Sequence, residues 1–241
     1  MHYSKPIPLA SALTLLVFTA TPLPLLAQPV RIERGHVDIG FAYEDNSWDA
    51  HIHDETTDQE HSPNEAVLVI GSKAASRVPT DARFSFLGAP GRSIHVLPQI
   101  EDENLPFLGL AAEEIEPGVF AENKLRVDLL GINGPGHFFL YRTSGVTATP
   151  TISYDTSNGI SPEDTVNLLA GGHQDFSWAF TSPGDYTLVL QASGTLVEGA
   201  RFVASAPVDV RFHVVPEPAP VLLLMLGLGL VLGRKLTLPR Q

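Results

Sequence analysis

Three two-residue spacings in this chain bring together side chains that ligate metal ions: His36-Val37-Asp38, His51-Ile52-His53 and His173-Gln174-Asp175. In a β-strand, residues two apart point to the same face, so each spacing presents two potential ligands side by side. Imidazoles with a carboxylate are an ordinary ligand set for zinc, copper, nickel or iron. His51 and His53 offer two imidazoles, and His36 with Asp38 would join them if the two segments pair. His173 and Asp175 would complete the set if the later segment lies beside that pair. The candidate ligands are therefore His36, Asp38, His51, His53, His173 and Asp175, holding a divalent transition metal such as zinc or copper. A solvated polar strand face has the same spacing, and that reading stays open. His61 reads as loop, His95 and His137 as core or edge contacts within apolar strands, and His213 as a neighbour of the C-terminal tail.

The surroundings of these residues are acidic. No Lys or Arg occurs between Arg34 and Lys73, while Asp38, Glu44, Asp45, Asp49, Asp54, Glu55, Asp58, Glu60 and Glu65 all fall in that interval. The whole chain has 15 bases against 27 acids, a net charge of −12. Such a balance disfavours nucleic acid and anionic lipid, and attracts cations. Calcium at Asp45-Asn46 or over 54–58 lacks the twelve-residue ligand pattern that would make it specific. No cysteine is present, so thiolate metal sites, disulfides and lipoprotein acylation are excluded. Gly-x-Ser-x-Gly, His-Glu-x-x-His and glycine-rich phosphate loops are also missing, and no catalytic residue can be named. Trp48 and Trp178 could stack on a sugar, although tryptophans in sandwiches more often fill the core.

The elements that must position these groups read as strands. Residues 36–43 and 48–53 alternate apolar and polar around Asp45-Asn46-Ser47, which predicts a hairpin. Further strands are expected at 66–70, 83–87, 93–97, 124–130, 137–142, 149–154, 175–180, 186–192 and 208–214, with a helical turn over 111–115. Gly and Pro punctuate nearly every gap. Short strands without helices for parallel crossovers predict an all-β fold, an antiparallel β-sandwich. The run Pro183-Gly184-Asp185-Tyr186 resembles the entry to a late strand of Ig-like modules, where the tyrosine ring packs inward and its hydroxyl bonds back to the loop.

The two ends read differently from the body. One lysine, an apolar stretch and small residues near Ala27 form the pattern of a secretory signal peptide over 1–27. At the other end Pro216-Glu217-Pro218 precedes an apolar run over 221–233 and the basic pair Arg234-Lys235. Thirteen helical residues reach about 20 Å, short of roughly 30 Å of hydrocarbon, which makes a marginal permanent anchor. This tail resembles the PEP-CTERM sorting signal. The resemblance implies export by a Gram-negative bacterium, processing by an exosortase, and membrane contact through 219–236 as a transmembrane helix that is transient or retained.

Between the ends, residues 28–215 form one expected domain. Its blocks GHVDIG at 35–40, WDAHIHD at 48–54, FLGA at 86–89, LPQ at 97–99, PFLG at 106–109, GPGHFFLY at 134–141 and GHQDFSWAF at 172–180 resemble the choice-of-anchor M domain. They are similar also to a short surface-anchored repeat of actinobacteria in which a His-x-His pair precedes an Asn-Trp-x-Phe strand. Here Asp175 replaces the second histidine and Ser177 the asparagine. The resemblance implies a surface-associated protein, secreted to the cell envelope or extracellular matrix, that binds rather than turns over a substrate. Its implied partners are the secretion machinery, the exosortase and extracellular polysaccharide. Two alternatives stay open: a structural or adhesive matrix protein with no metal, and a polysaccharide hydrolase.

Overall fold

The computed structural model describes residues 28–145 and 148–217. The expected signal peptide and, of the expected sorting residues, Pro218, Arg234 and Lys235 lie outside the described residues. In chain order the strands begin with β1 (Val30–Ile32), β2 (Gly35–Glu44), β3 (Ser47–Asp54), β4 (Gln59–His61), β5 (Ala66–Ile70) and β6 (Ala75–Arg77). They continue with β7 (Ser93–Leu97), β8 (Pro106–Ala111), β9 (Lys124–Asn133), β10 (Phe138–Ser144), β11 (Thr149–Asp155) and β12 (Thr165–Leu169). Then come β13 (His173–Asp175), β14 (Ser177–Phe180), β15 (Gly184–Thr195), β16 (Phe202–Ala204) and β17 (Val208–Val214).

These strands build three sheets, and the fold is all-β. One sheet runs β1-β5-β17-β15-β9-β12, with β16 added to β15. The second runs β11-β10-β14-β7-β6, and the third β13-β8-β2-β3-β4. All three contribute to one core. Ile39 and Ile52 come from the third sheet, Phe138 and Trp178 from the second, and Leu188 and Phe212 from the first. No helix among the described residues is long and apolar enough to cross a membrane.

The expected hairpin forms. Its turn is two residues rather than three, because Asp45 and Asn46 both take positive φ (49° and 61°) and Glu44 pairs with Ser47. That is the primed turn whose twist matches the flanking strands. The tyrosine at the start of the late strand also behaves as expected, its hydroxyl donating to the Ser182 carbonyl at 2.9 Å.

Four local expectations are corrected. Pairing is not wholly antiparallel: β1 with β5, β5 with β17, and β2 with β8 are parallel. Parallel neighbours need a long crossover, and strands of the other sheets supply it in place of helices. Residues 83–87 are not a strand but the 3₁₀ segment Ala82–Leu87, because the Asp81 carboxylate caps it by accepting from the Arg83 N–H at 3.0 Å. The run 175–180 is not continuous. It breaks at Phe176, leaving β13 in the third sheet and β14 in the second. Residues 106–111, where no strand was expected, form β8, and the helical turn expected over 111–115 is a single turn closed by the Ile115 N–H donating to the Ala112 carbonyl. His61, read as loop, ends β4.

Candidate metal centre

Strand register decides which side chains meet. In the third sheet Asp175 pairs with Gly109, Gly109 with Asp38, Asp38 with His53, and His53 with Glu60. One row beyond, His173 pairs with Ala111, Ala111 with Gly40, and Gly40 with His51. Directly opposed residues share a face, and Val37, Ile39, Phe41, Leu108, Leu110 and Ile52 on the alternate positions enter the core. The polar groups therefore stand together on the sheet's other face. The alternation that builds the core also collects the histidines and carboxylates.

The small residues in these rows make the gathering possible. Strands β13 and β2 are separated by β8, so their side chains must bridge two spacings of about 4.8 Å. Gly109 leaves that gap open. A Cβ there would stand 2.0 Å from Asp38 Oδ1 and 3.2 Å from Asp175 Oδ1. Any other residue would push the two carboxylates off the position they share.

Across this gap four expected ligands converge. His36 Nε2 lies 3.5 Å from Asp175 Oδ1 and 3.8 Å from Asp38 Oδ2, and His173 Nε2 lies 3.8 Å from Asp175 Oδ2. These separations exceed hydrogen-bond length. They match the spacing of ligands on one ion, since two groups bound at about 2.1 Å to a tetrahedral centre stand about 3.4 Å apart. Several of the atoms concerned are also unpaired. His36 Nε2, both oxygens of Asp38 and Asp175 Oδ1 are buried without a hydrogen-bond partner among the described residues. Buried polar groups are normally paired, and an unpaired carboxylate is especially costly. The donor set of two imidazoles and carboxylates fits a divalent transition metal.

Supporting contacts fix the rings. The Glu113 carboxylate holds His173 Nδ1 at 2.6 Å, which directs Nε2 toward Asp175. The His36 ring packs on Phe107 at 4.9 Å between centroids and meets the His173 ring edge-on at 5.5 Å. A carboxylate behind a ligating histidine sets its tautomer and basicity. Burial raises the Asp38 carboxyl to about 6, against the opposing pull of His36 and His173. The hydrogen bond to Glu113 raises the His173 imidazole.

The other expected ligands sit apart from this group. His51 is on the same face, but its Nε2 faces Glu114 at 3.3 Å and its Nδ1 contacts Asp49 at 3.2 Å. His53 lies between Glu55 at 3.8 Å and Asp58 at 3.6 Å. Groups of ligand atoms within 4.8 Å of one another comprise His36 with His173 and Asp175, Asp38 with Glu113 and His173, and His51 with Glu60 and Glu114. His53 belongs to none of these, so the pair His51 and His53 does not act as one unit. Glu113 and Glu114 were missed because β8, which delivers them, was not recognised as a strand.

The remaining readings resolve locally. Asp54 accepts from the Thr56 N–H at 3.0 Å and the Thr57 hydroxyl at 2.9 Å, so this carboxylate closes its own turn. Trp178 is fully buried, with its indole N–H donating to the Leu108 carbonyl at 3.1 Å, and offers no stacking platform for a sugar. Trp48 stacks on Phe120 at 5.4 Å. His95 is buried as expected, and burial lowers its imidazole. Glu217, at the edge of the described residues, accepts from the Ser93 hydroxyl at 2.9 Å. Comparison with protein-family models, curated proteins and solved structures found no match to this chain.

Proposed function

We propose that this chain is an exported, surface-associated binding protein that holds a divalent transition metal on His36, His173 and Asp175, with Asp38 as a further ligand. Glu113 orients His173 from behind. The observation that carries the reading is the set of buried, unpaired atoms His36 Nε2, Asp38 Oδ1 and Oδ2 and Asp175 Oδ1, spaced for an ion rather than for hydrogen bonds. A dication bound there offsets the cost of burying Asp38. Zinc or copper suits the mixed nitrogen and oxygen set.

Destination is part of the same proposal. The signal-peptide pattern over 1–27, the PEP-CTERM-like tail over 216–241 and the choice-of-anchor M-like blocks of the body support export to the envelope or matrix of a Gram-negative bacterium. Exosortase and the secretion machinery are its processing partners, extracellular polysaccharide its surroundings. The body is a β-sandwich, Ig-like in its C-terminal part, a reading supported by the shared core and by the Tyr186 contact.

The test is elemental analysis of the chain purified without an affinity tag, beside the His36→Ala, His173→Ala double variant. We expect the variant to lose one equivalent of metal while keeping the β-rich circular dichroism of the parent. Equal metal content in the two proteins would sink the assignment, and no metal in either would favour the metal-free matrix protein.

A further inference from the structure

We infer that the same sheet face has a second divalent-cation position, formed by His51, Glu60 and Glu114, none of which belongs to the first centre. The three ligand atoms lie within 4.8 Å of one another and come from three separate segments: β3, β4 and the turn after β8. Chance proximity of surface acids does not account for the geometry of the histidine. Its side chain is only 9% exposed, and its ring lies across the β2 backbone at Gly40, where a Cβ would stand 2.1 Å from Nε2. The backbone has been left bare at the point where that ring needs room.

The orientation repeats the pattern of the first centre. There Glu113 holds His173 Nδ1, and here Asp49 holds His51 Nδ1, so that in both cases Nε2 is the free ligand atom. His51 Nε2 stands 3.3 Å from Glu114 Oε1 with no hydrogen bond between them. That separation again suits two ligands of one ion. Among the described residues, no Lys or Arg is ion-paired with Asp49, Glu60 or Glu114, so three carboxylates surround one imidazole without a counter-charge. One nitrogen and two carboxylates form a harder site than the first, and manganese(II) or zinc(II) is the class of ion it accepts.

Titration of the tag-free chain with Mn²⁺ alone and Zn²⁺ alone, read by calorimetry and by the loss of free Mn²⁺ paramagnetic resonance, tests this. The parent should take up two equivalents. The Glu60→Gln, Glu114→Gln variant should take up one, and combining it with His36→Ala, His173→Ala should leave none. Asp49→Asn should keep the stoichiometry but weaken the second equivalent by about tenfold or more. A parent that binds one ion, lost only in the His36→Ala, His173→Ala variant, overturns the second position and leaves the first standing. One ion lost only in the Glu60→Gln, Glu114→Gln variant does the reverse. Two equivalents retained in the latter variant also overturn it. Both glutamates are partly or fully exposed, so their replacement tests binding without challenging the fold.

Discussion

Two outward sheet faces of this molecule are built on the same strand geometry and end in opposite chemistry. On the β11-β10-β14-β7-β6 sheet the outward residues Ile94, Phe139, Tyr141 and Ala179 are apolar, and the 3₁₀ segment Ala82–Leu87 folds over them with Phe84 and Phe86. On the β13-β8-β2-β3-β4 sheet the outward residues are His36, Asp38, His51, His53, His173 and Asp175, interleaved with Gly40, Gly109 and Ala111. The first face becomes a second small core. The second leaves His36 Nε2, both Asp38 oxygens and Asp175 Oδ1 buried without a hydrogen-bond partner among the described residues, a costly state that a bound group would relieve. The histidines mark the same division. His95, on the inner side of the apolar sheet, has its imidazole lowered by burial, whereas the Glu113 contact raises His173.

The sharpest way to separate the faces is to damage the apolar one. Phe139→Ala should cost about 3–5 kcal/mol, measured by urea unfolding, because it empties a fully enclosed site. Metal uptake by the folded fraction should not change. Lost uptake in that fraction would mean that the two faces are coupled.

Asp38→Asn acts on the polar face, and through pH. Burial raises the folded carboxyl from 3.8 to about 6, so the folded state holds its proton more tightly than the unfolded state. The stability this gives is present in full below about pH 4 and is lost as pH rises through about 6. His173 pushes the same way, since its raised imidazole adds stability below its unfolded value of 6.5 that is lost at higher pH. The metal-free parent should therefore unfold in less urea at pH 7.5 than at pH 5. Asp38→Asn should remove about 1.4 kcal/mol of that difference, the part of the Asp38 linkage that falls between these two pH values. Zinc at a hundred times the dissociation constant of this centre should restore about 2.7 kcal/mol there at pH 7.5 in the parent and less in the variant, which keeps His36, His173 and Asp175 but not the Asp38 charge. A pH profile that Asp38→Asn leaves unaltered would place the strain elsewhere.

The smallest expected effect is at the cover of the apolar face. Asp81→Ala removes the cap on the 3₁₀ segment and its contacts with Arg83, and should lower the thermal midpoint by less than Phe139→Ala does. Metal affinity should stay as in the parent.

Sequence carried the parts of this arrangement that depend on local pattern. Alternation around Asp45-Asn46 specified the hairpin, and strands at 66–70, 93–97 and 208–214 have the expected bounds. The His-x-Asp spacings placed their side chains together on one face, because period two is intrinsic to a strand. What stayed hidden depends on tertiary context. Gly109 and Pro106 mask β8 as a loop, although glycine is there to admit Asp38. Phe84 and Phe86 imitate strand alternation while capping another sheet. Glu113 and Glu114 had no signal of their own, being two acids in an acidic chain that only the β2–β8 pairing brings to the histidines.

The break at Phe176 has a kinetic consequence. Residues 173–180 seat one end of a single run in each of two sheets, and the only covalent link between them there is Phe176, whose N–H bonds back to the Leu108 carbonyl. His173 and Asp175 therefore reach His36 and Asp38 only once β13 has paired with β8, far back along the chain. Closing contacts so distant along the chain is the slow part of assembling a β-protein. An ion held across β2 and β13 would thus act as a late latch, engaging only molecules whose assembly is complete and slowing their unfolding afterwards.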